Sequence, residues 1–158
     1  MWKDAGFSIL ELVVTIAIFA TLSAIALPNV ISWRGNTTLR GAVNNLKGDL
    51  EYAKLSAVKE NAWVVINLHE NHYEIFVDDG AGGGAVDWIR SPGETLLRNR
   101  RLWSGVTIDL GATTLLNNRT RFNGRGLPDD SNLGSIVMAG TGGNRSITLN
   151  RIGRIRIQ

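Results

Sequence analysis

Side chains able to perform catalysis are few in this sequence, and they stand in no catalytic pattern. The two histidines, His69 and His72, fall in a polar stretch between two β-rich runs, and there is no cysteine for a metal or redox site. Ser56 and Ser91 lack the glycine-flanked elbow that exposes a nucleophilic serine. We therefore expect no enzymatic activity, no cofactor and no small-molecule substrate.

Two pairs of adjacent aspartates are the remaining candidates for metal binding. Asp78–Asp79 and Asp129–Asp130 lack the alternating oxygen ligands of an EF-hand loop. We expect solvated loop carboxylates at both places, and no metal site.

Positive charge is concentrated in the second half of the chain, where every cation is arginine. Residues 1–89 carry 6 Lys or Arg against 10 Asp or Glu, a net charge of −4, whereas residues 90–158 carry 11 against 4, a net charge of +7. This asymmetry indicates that the C-terminal part meets either a polyanion or an acidic protein partner, or forms a solvated face. The candidate anion-binding residues are Arg125, Arg145, Arg151, Arg154 and Arg156.

A single carboxylate stands at the start of a long apolar run. The 22 positions between Glu11 and Arg34 hold no charged residue, and about 20 residues in a helix suffice to cross a bilayer. A buried carboxylate without a partner is costly. Glu11 must therefore be neutral, lie near the interface, or pair with another chain. Pro28, near the end of the run, is expected to kink or loosen a helix there.

Three interpretations of this N-terminal segment compete. A cleaved secretory signal would use Ala24–Ala26 as its site, but Glu11 inside the apolar region argues against it. An ordinary single-span anchor has no use for Glu11. The third interpretation depends on the residues that precede Glu11.

The sequence from Gly6 to Leu12, Gly-Phe-Ser-Ile-Leu-Glu-Leu, resembles the processing site of type IV pilins and pseudopilins. This resemblance implies cleavage by prepilin peptidase between Gly6 and Phe7 and N-methylation of Phe7. It further implies that the new α-ammonium group of Phe7 pairs with Glu11 of a neighbouring subunit in a filament. Pro28 likewise stands where such proteins carry a helix-loosening proline.

An amphipathic helix is predicted over residues 36–60. Its apolar residues recur at spacings of 4, 3, 4, 3 and 4, which is typical of one narrow stripe packed against a sheet. Asp49 and most other charged residues are expected off this stripe, and Asn61 is the expected end of the helix. The stripe consists of Leu39, Val43, Leu46, Leu50, Ala53 and Ala57.

Beyond Asn61 the hydrophobic period changes from helical to alternating, which predicts strands. The last two, over residues 145–150 and 154–157, are expected to form a hairpin. Period two then places Ile155 and Ile157 on the core face, and Arg154 and Arg156 together on the other face. The other strands are predicted at 62–68, 73–77, 96–102, 106–110, 120–122 and 135–138. The five tryptophans are interpreted as core or interfacial anchors, with Trp33 at the membrane boundary.

The segment from Thr120 to Pro128, with Ser146–Leu149 and the closing Gly153–Ile157, resembles the C-terminal half of the GspH/FimT family of minor pseudopilins and minor pilins. Heads of that family pack a β-sheet, in two layers in some members, on the long helix. The expected fold class is α+β: a long N-terminal helix, half transmembrane and half amphipathic, packed against a C-terminal antiparallel sheet. The expected divisions are a leader at 1–6, a transmembrane or filament-core helix at 7–33, an amphipathic helix at 34–60 and a head at 61–158.

Two functions are compatible with this resemblance. The first is a minor pseudopilin, a structural subunit of a type II secretion pseudopilus or related type IV pilus. Its expected partners are other pilins, prepilin peptidase and the bacterial inner membrane, with the head in the periplasm. The alternative is a FimT-like minor pilin that binds DNA through Arg154 and Arg156, with Arg125, Arg145 and Arg151 nearby.

Overall fold

The first element is one long helix. The computed structural model describes residues 8–81 and 86–158. Helix α1 spans Ile9–Glu60 and continues through Pro28. Ser8 caps its start, because the Ser8 side chain accepts a hydrogen bond from the backbone N–H of Glu11 at 3.3 Å. Asn61 adopts the left-handed conformation at φ 48° and donates its backbone N–H to Ala57 O, so the predicted end of the helix is confirmed.

The two halves of α1 have different surroundings. Every large apolar side chain from Ile9 to Trp33 is exposed, whereas the buried positions begin at Leu39. Within the described residues, α1 is the one helix long and apolar enough to cross a membrane, with a mean hydropathy of 2.3 over 18 residues. The N-terminal half therefore projects away from the head, and the C-terminal half is built into it.

Eight antiparallel strands form two sheets. The strands are β1 Trp63–Leu68, β2 His72–Asp78, β3 Leu96–Arg101, β4 Val106–Ile108, β5 Arg119–Phe122, β6 Gly134–Gly140, β7 Gly143–Leu149 and β8 Ile155–Ile157. The order in sheet A is β3-β2-β1-β5 and the order in sheet B is β4-β6-β7-β8. All eight strands follow the predicted positions to within two residues at each end. The largest differences, of two residues, are the early end of β4, the late end of β6 and the early start of β7.

The core lies where the predicted stripe of α1 meets the inner faces of both sheets. All six residues of the stripe are buried, which confirms that prediction. Sheet A contributes alternate residues such as Ile66 and Ile75, and sheet B contributes Ile136 and Ile147. Ile155 of β8 joins the core while Arg156 stays exposed, as period two requires.

Two carboxylates are buried. Asp49 is 4 % exposed on the sheet side of α1, and Asp78 is 0 % exposed at the end of β2. The prediction of solvated loop carboxylates is therefore wrong for Asp78, because β2 extends through it. Asp49 is outside the predicted stripe and is buried as well, because the sheet beside α1 offers partners for its charge. Asp79 and Asp130 are exposed, and Asp129 is half-buried.

Candidate assembly site and charged surfaces

Glu11 lies in the first turn of α1, among exposed apolar side chains. Its backbone carbonyl accepts a hydrogen bond from Thr15 Oγ1 at 2.6 Å. Among the described residues, no cation lies within 4.0 Å of its carboxylate. Pro28 lies in the same exposed half of the helix, 17 positions further along. Gly6 and Phe7, the predicted processing residues, lie outside the described residues.

Of the five arginines predicted to bind anions, four lie at turns or on the outer face of sheet B. Arg154 and Arg156 are exposed and belong to β8 or the turn before it. Arg125 is exposed on a turn next to that of Gly153, since Gly126 O lies 3.0 Å from the position of a Gly153 Cβ. Arg151 is on the same turn as Gly153, but its Nε pairs with Asp130 Oδ1 at 3.3 Å. Arg125, Arg154 and Arg156 thus lie exposed at one end of the head. None of them has an ion-pair partner among the described residues.

The structure separates Arg145 from this group. In β7, Arg145 shares its face with Ile147 and Leu149, which are buried against α1. Arg156 pairs with Thr148 and so belongs to the opposite face. Arg145 instead lines a groove with Arg40 of the helix. The alternation of β7 places Arg145 on the same face as Ile147. The register of the hairpin is needed to show that Arg156 lies on the opposite face.

A charged cluster that the sequence did not predict joins α1 to the inner face of sheet A. The Asp49 carboxylate lies 2.9 Å from Arg98 Nη1 and 2.9 Å from Arg100 Nε, and it accepts a hydrogen bond from Tyr73 Oη at 2.5 Å. Burial, followed by the bond to Asp49, raises the pKa of Tyr73, so the phenol stays protonated and donates. These contacts satisfy a buried charge, which is a structural role.

A second cluster lies on the outer face of sheet A. Arg121 lies between the rings of Trp63 and Trp88, 4.1 and 3.9 Å from their centroids. The same guanidinium binds Asp129 at 2.9 Å. Burial alone would raise the pKa of Asp129, but hydrogen bonds from Ser131 and the charge of Arg121 outweigh it and lower that pKa. Arg121 thus holds Trp88, in the segment after β2, against Trp63 of β1.

The described residues contain no group of three or more His, Asp or Glu side chains placed to hold a metal ion. His69 and His72 stack on each other at 4.3 Å in the β1–β2 hairpin.

Comparison with known protein families decides the classification. The family model described as type II transport protein GspH matches residues 42–153. The chain belongs to the GspH family. The prokaryotic N-terminal methylation motif matches residues 3–27, a range that includes Gly6, Phe7 and Glu11. The predicted family is therefore confirmed.

Similar proteins agree with membership of the GspH family. The pilin-like protein PilA1 of Thermus thermophilus is 26 % identical over 159 residues, covering 97 % of each chain. The type IV minor pilin FimU of Pseudomonas aeruginosa has a similar structure, with a TM-score of 0.53 at 18 % identity over 76 % of this chain and 92 % of that chain. The minor pseudopilin EpsH of Vibrio cholerae gives 0.56 at 9 % identity, covering 76 % and 95 %.

These similarities confirm the predicted fold class, a long N-terminal helix with an antiparallel sheet head. Family and fold together are those of structural pilin-type subunits, associated with type II secretion or the type IV pilus.

Proposed function

We propose that this GspH-family chain is a minor subunit of a pseudopilus or pilus. The exposed half of α1 anchors it in the bacterial inner membrane, with the head in the periplasm, before that half enters the filament core. Prepilin peptidase cleaves between Gly6 and Phe7, and Phe7 is N-methylated. The divisions proposed from the sequence, 1–6, 7–33, 34–60 and 61–158, then correspond to leader, anchor, supporting helix and head.

One observation carries this proposal. The apolar side chains of α1 from Ile9 to Ile31 are between 45 % and 84 % exposed, so the head leaves them all without a partner. Such a surface is stable in a bilayer or against other apolar helices, and not in water. Glu11, the single carboxylate on this surface, has no cation near it among the described residues. Pairing with Phe7 of a neighbour supplies the missing charge and sets the register between subunits.

Replacing Glu11 tests this assembly role. We expect Glu11→Ala to insert in the membrane normally and its incorporation into filaments to fall at least fivefold, about 1 kcal/mol. Membrane fractionation measures insertion, and the amount of the chain in sheared filaments measures incorporation.

The matched control is Thr15→Ala, one turn further along the same face. Its hydroxyl bonds only to the carbonyl of its own helix, so incorporation should remain normal. Normal incorporation of Glu11→Ala would refute the pairing with Phe7.

DNA binding is the second candidate, favoured by the exposure of Arg154 and Arg156 together with Arg125. If it holds, the head over residues 35–158 should bind DNA with an affinity that falls steeply with salt, because each neutralised phosphate releases counterions. The Arg154→Gln/Arg156→Gln variant should lose most of that binding, whereas Arg90→Gln, on an exposed loop, should not. Filter binding across a salt series measures this. Absence of binding at low salt by a folded head would assign these arginines to contacts with other subunits.

A further inference from the structure

Two grooves of opposite charge lie at the two edges of sheet B. The basic groove is lined by Arg40, Val43, Asn44, Arg145 and Ile157. The acidic groove is lined by Glu70, Thr107, Ile108, Asp109, Leu110 and Ala139. Each has a volume of about 260 Å³ and combines charged groups with apolar ones.

Among the described residues, the charged side chains of both grooves have no ion-pair partner. Asp109 Oδ1 accepts the backbone N–H groups of Gly111 and Ala112, at 3.1 and 3.0 Å. In the described part of the chain no ion pair within 4.0 Å includes Asp109, Glu70, Arg40 or Arg145.

The register of sheet B places the two grooves at the two ends of one row of paired residues. Ile108 of β4 pairs with Met138 of β6, and Met138 pairs with Arg145 of β7, so the row runs from β4 to β7. Asp109 directly follows Ile108. Glu70 is held beside the same row, because its carbonyl accepts the N–H of Ile108 at 2.8 Å.

The two grooves cannot meet within one head. Along this row the strands are β4, β6 and β7, so two strand spacings separate Ile108 from Arg145 by about 10 Å. An ion pair requires separation of at most about 4 Å. Opposite charges at opposite edges can therefore pair only between two molecules.

We propose that the basic groove of one copy binds the acidic groove of a second copy, side by side in the membrane. The apolar half of α1 sets the depth of each copy in the bilayer, so two anchored copies present the same row of sheet B at the same height. Arg40 and Arg145 then face Glu70 and Asp109 of the neighbour. Because different surfaces of the two copies meet, the contact is heterologous. This inference rests on the membrane and filament role proposed above and names the partner.

Disulfide cross-linking of the full-length protein tests this contact, because the chain contains no cysteine of its own. Asn44→Cys places a thiol in the basic groove, and Thr107→Cys places one in the acidic groove. Each variant is reconstituted, alone or mixed, in phosphatidylcholine vesicles and oxidised. We expect a cross-linked dimer from the mixture, and only background dimer from either variant alone.

Charge reversal shows whether the grooves cause the contact. Glu70→Arg in the Thr107→Cys chain, or Arg40→Glu in the Asn44→Cys chain, should each lower the dimer yield at least fivefold. Combining the two reversed chains should restore the yield, which a misfolded variant could not do. Arg90→Glu, at an exposed position of the 79–95 segment, is the control and should leave the yield unchanged.

Three results would overturn the proposal: no dimer from the mixture, equal dimer from one variant alone, or a yield indifferent to both reversals. The vesicle assay requires neither cleavage at Gly6 nor a filament. If no cross-linked dimer forms, but Glu11→Ala lowers filament incorporation as expected, the lateral contact is rejected and the filament role stands.

Discussion

Replacing Asp49 by alanine should lower the free energy of unfolding by about 3 kcal/mol, because it breaks a buried charge cluster. Asp49 is 4 % exposed, and its carboxylate contacts Arg98, Arg100 and Tyr73. Without it, the hydroxyl of Tyr73, a residue that is 0 % exposed, keeps no acceptor. The two arginine side chains are 36 % and 37 % exposed. Because both guanidinium groups can be hydrated once Asp49 is removed, the expected loss in the free energy of unfolding is at the lower end of the range for a broken buried ion pair.

Denaturant unfolding of the full chain in detergent, followed by tryptophan fluorescence, measures this loss. Asp49→Asn retains an acceptor for Tyr73 and should cost less than Asp49→Ala. Lys59→Ala, in an exposed pair with Glu60, is the control and should change stability by less than about 0.5 kcal/mol. A change of less than 1 kcal/mol for Asp49→Ala would show that the cluster contributes little.

The second large effect concerns the close contact between the β6–β7 turn and α1. A Cβ at Gly142 would lie 2.5 Å from the Cα of Asn36 and 2.6 Å from its N atom. Both are backbone atoms of a helix and cannot rotate away. We expect Gly142→Ala to lower the free energy of unfolding by about 2 kcal/mol and to detach the turn from the helix.

Gly48→Ala is the matched control for this prediction. It adds the same methyl group to α1, where no atom lies within 4 Å. It should raise stability by up to about 1 kcal/mol, because alanine favours the helix over glycine. Hydrogen exchange at the amides of residues 140–144 would locate the effect of Gly142→Ala. Unchanged exchange and unchanged stability would contradict the close packing of the turn.

Local patterns predicted the elements of this fold closely. The stripe from Leu39 to Ala57 and the end at Asn61 depend on spacing and capping within one helix, and the alternation of β8 depends on neighbouring residues. Such features are set by residues a few positions apart, so periodicity shows them directly. The apolar run after Glu11 is of the same kind, since its length and composition alone indicate a helix that could span a bilayer.

The surroundings of charged residues could not be derived in this way. Asp49 lies outside the apolar stripe of α1, and its burial depends on arginines about 50 positions later that sheet A places beside it. Arg145 and Arg156 belong to one arginine-rich tail, yet the register of the β7–β8 hairpin places their side chains on opposite faces of sheet B. Asp78 became buried because its strand extends further than the alternation indicated.

By itself the sequence determined the long helix, its apolar and amphipathic halves, the strands and the resemblance to pilins, because each depends on local period or a contiguous motif. Only the tertiary structure decided the division into two sheets, the partners of Asp49 and the row that joins Ile108 to Arg145 across sheet B. Those depend on strand order and register between segments far apart in the chain, where packing and not local preference selects the pairing.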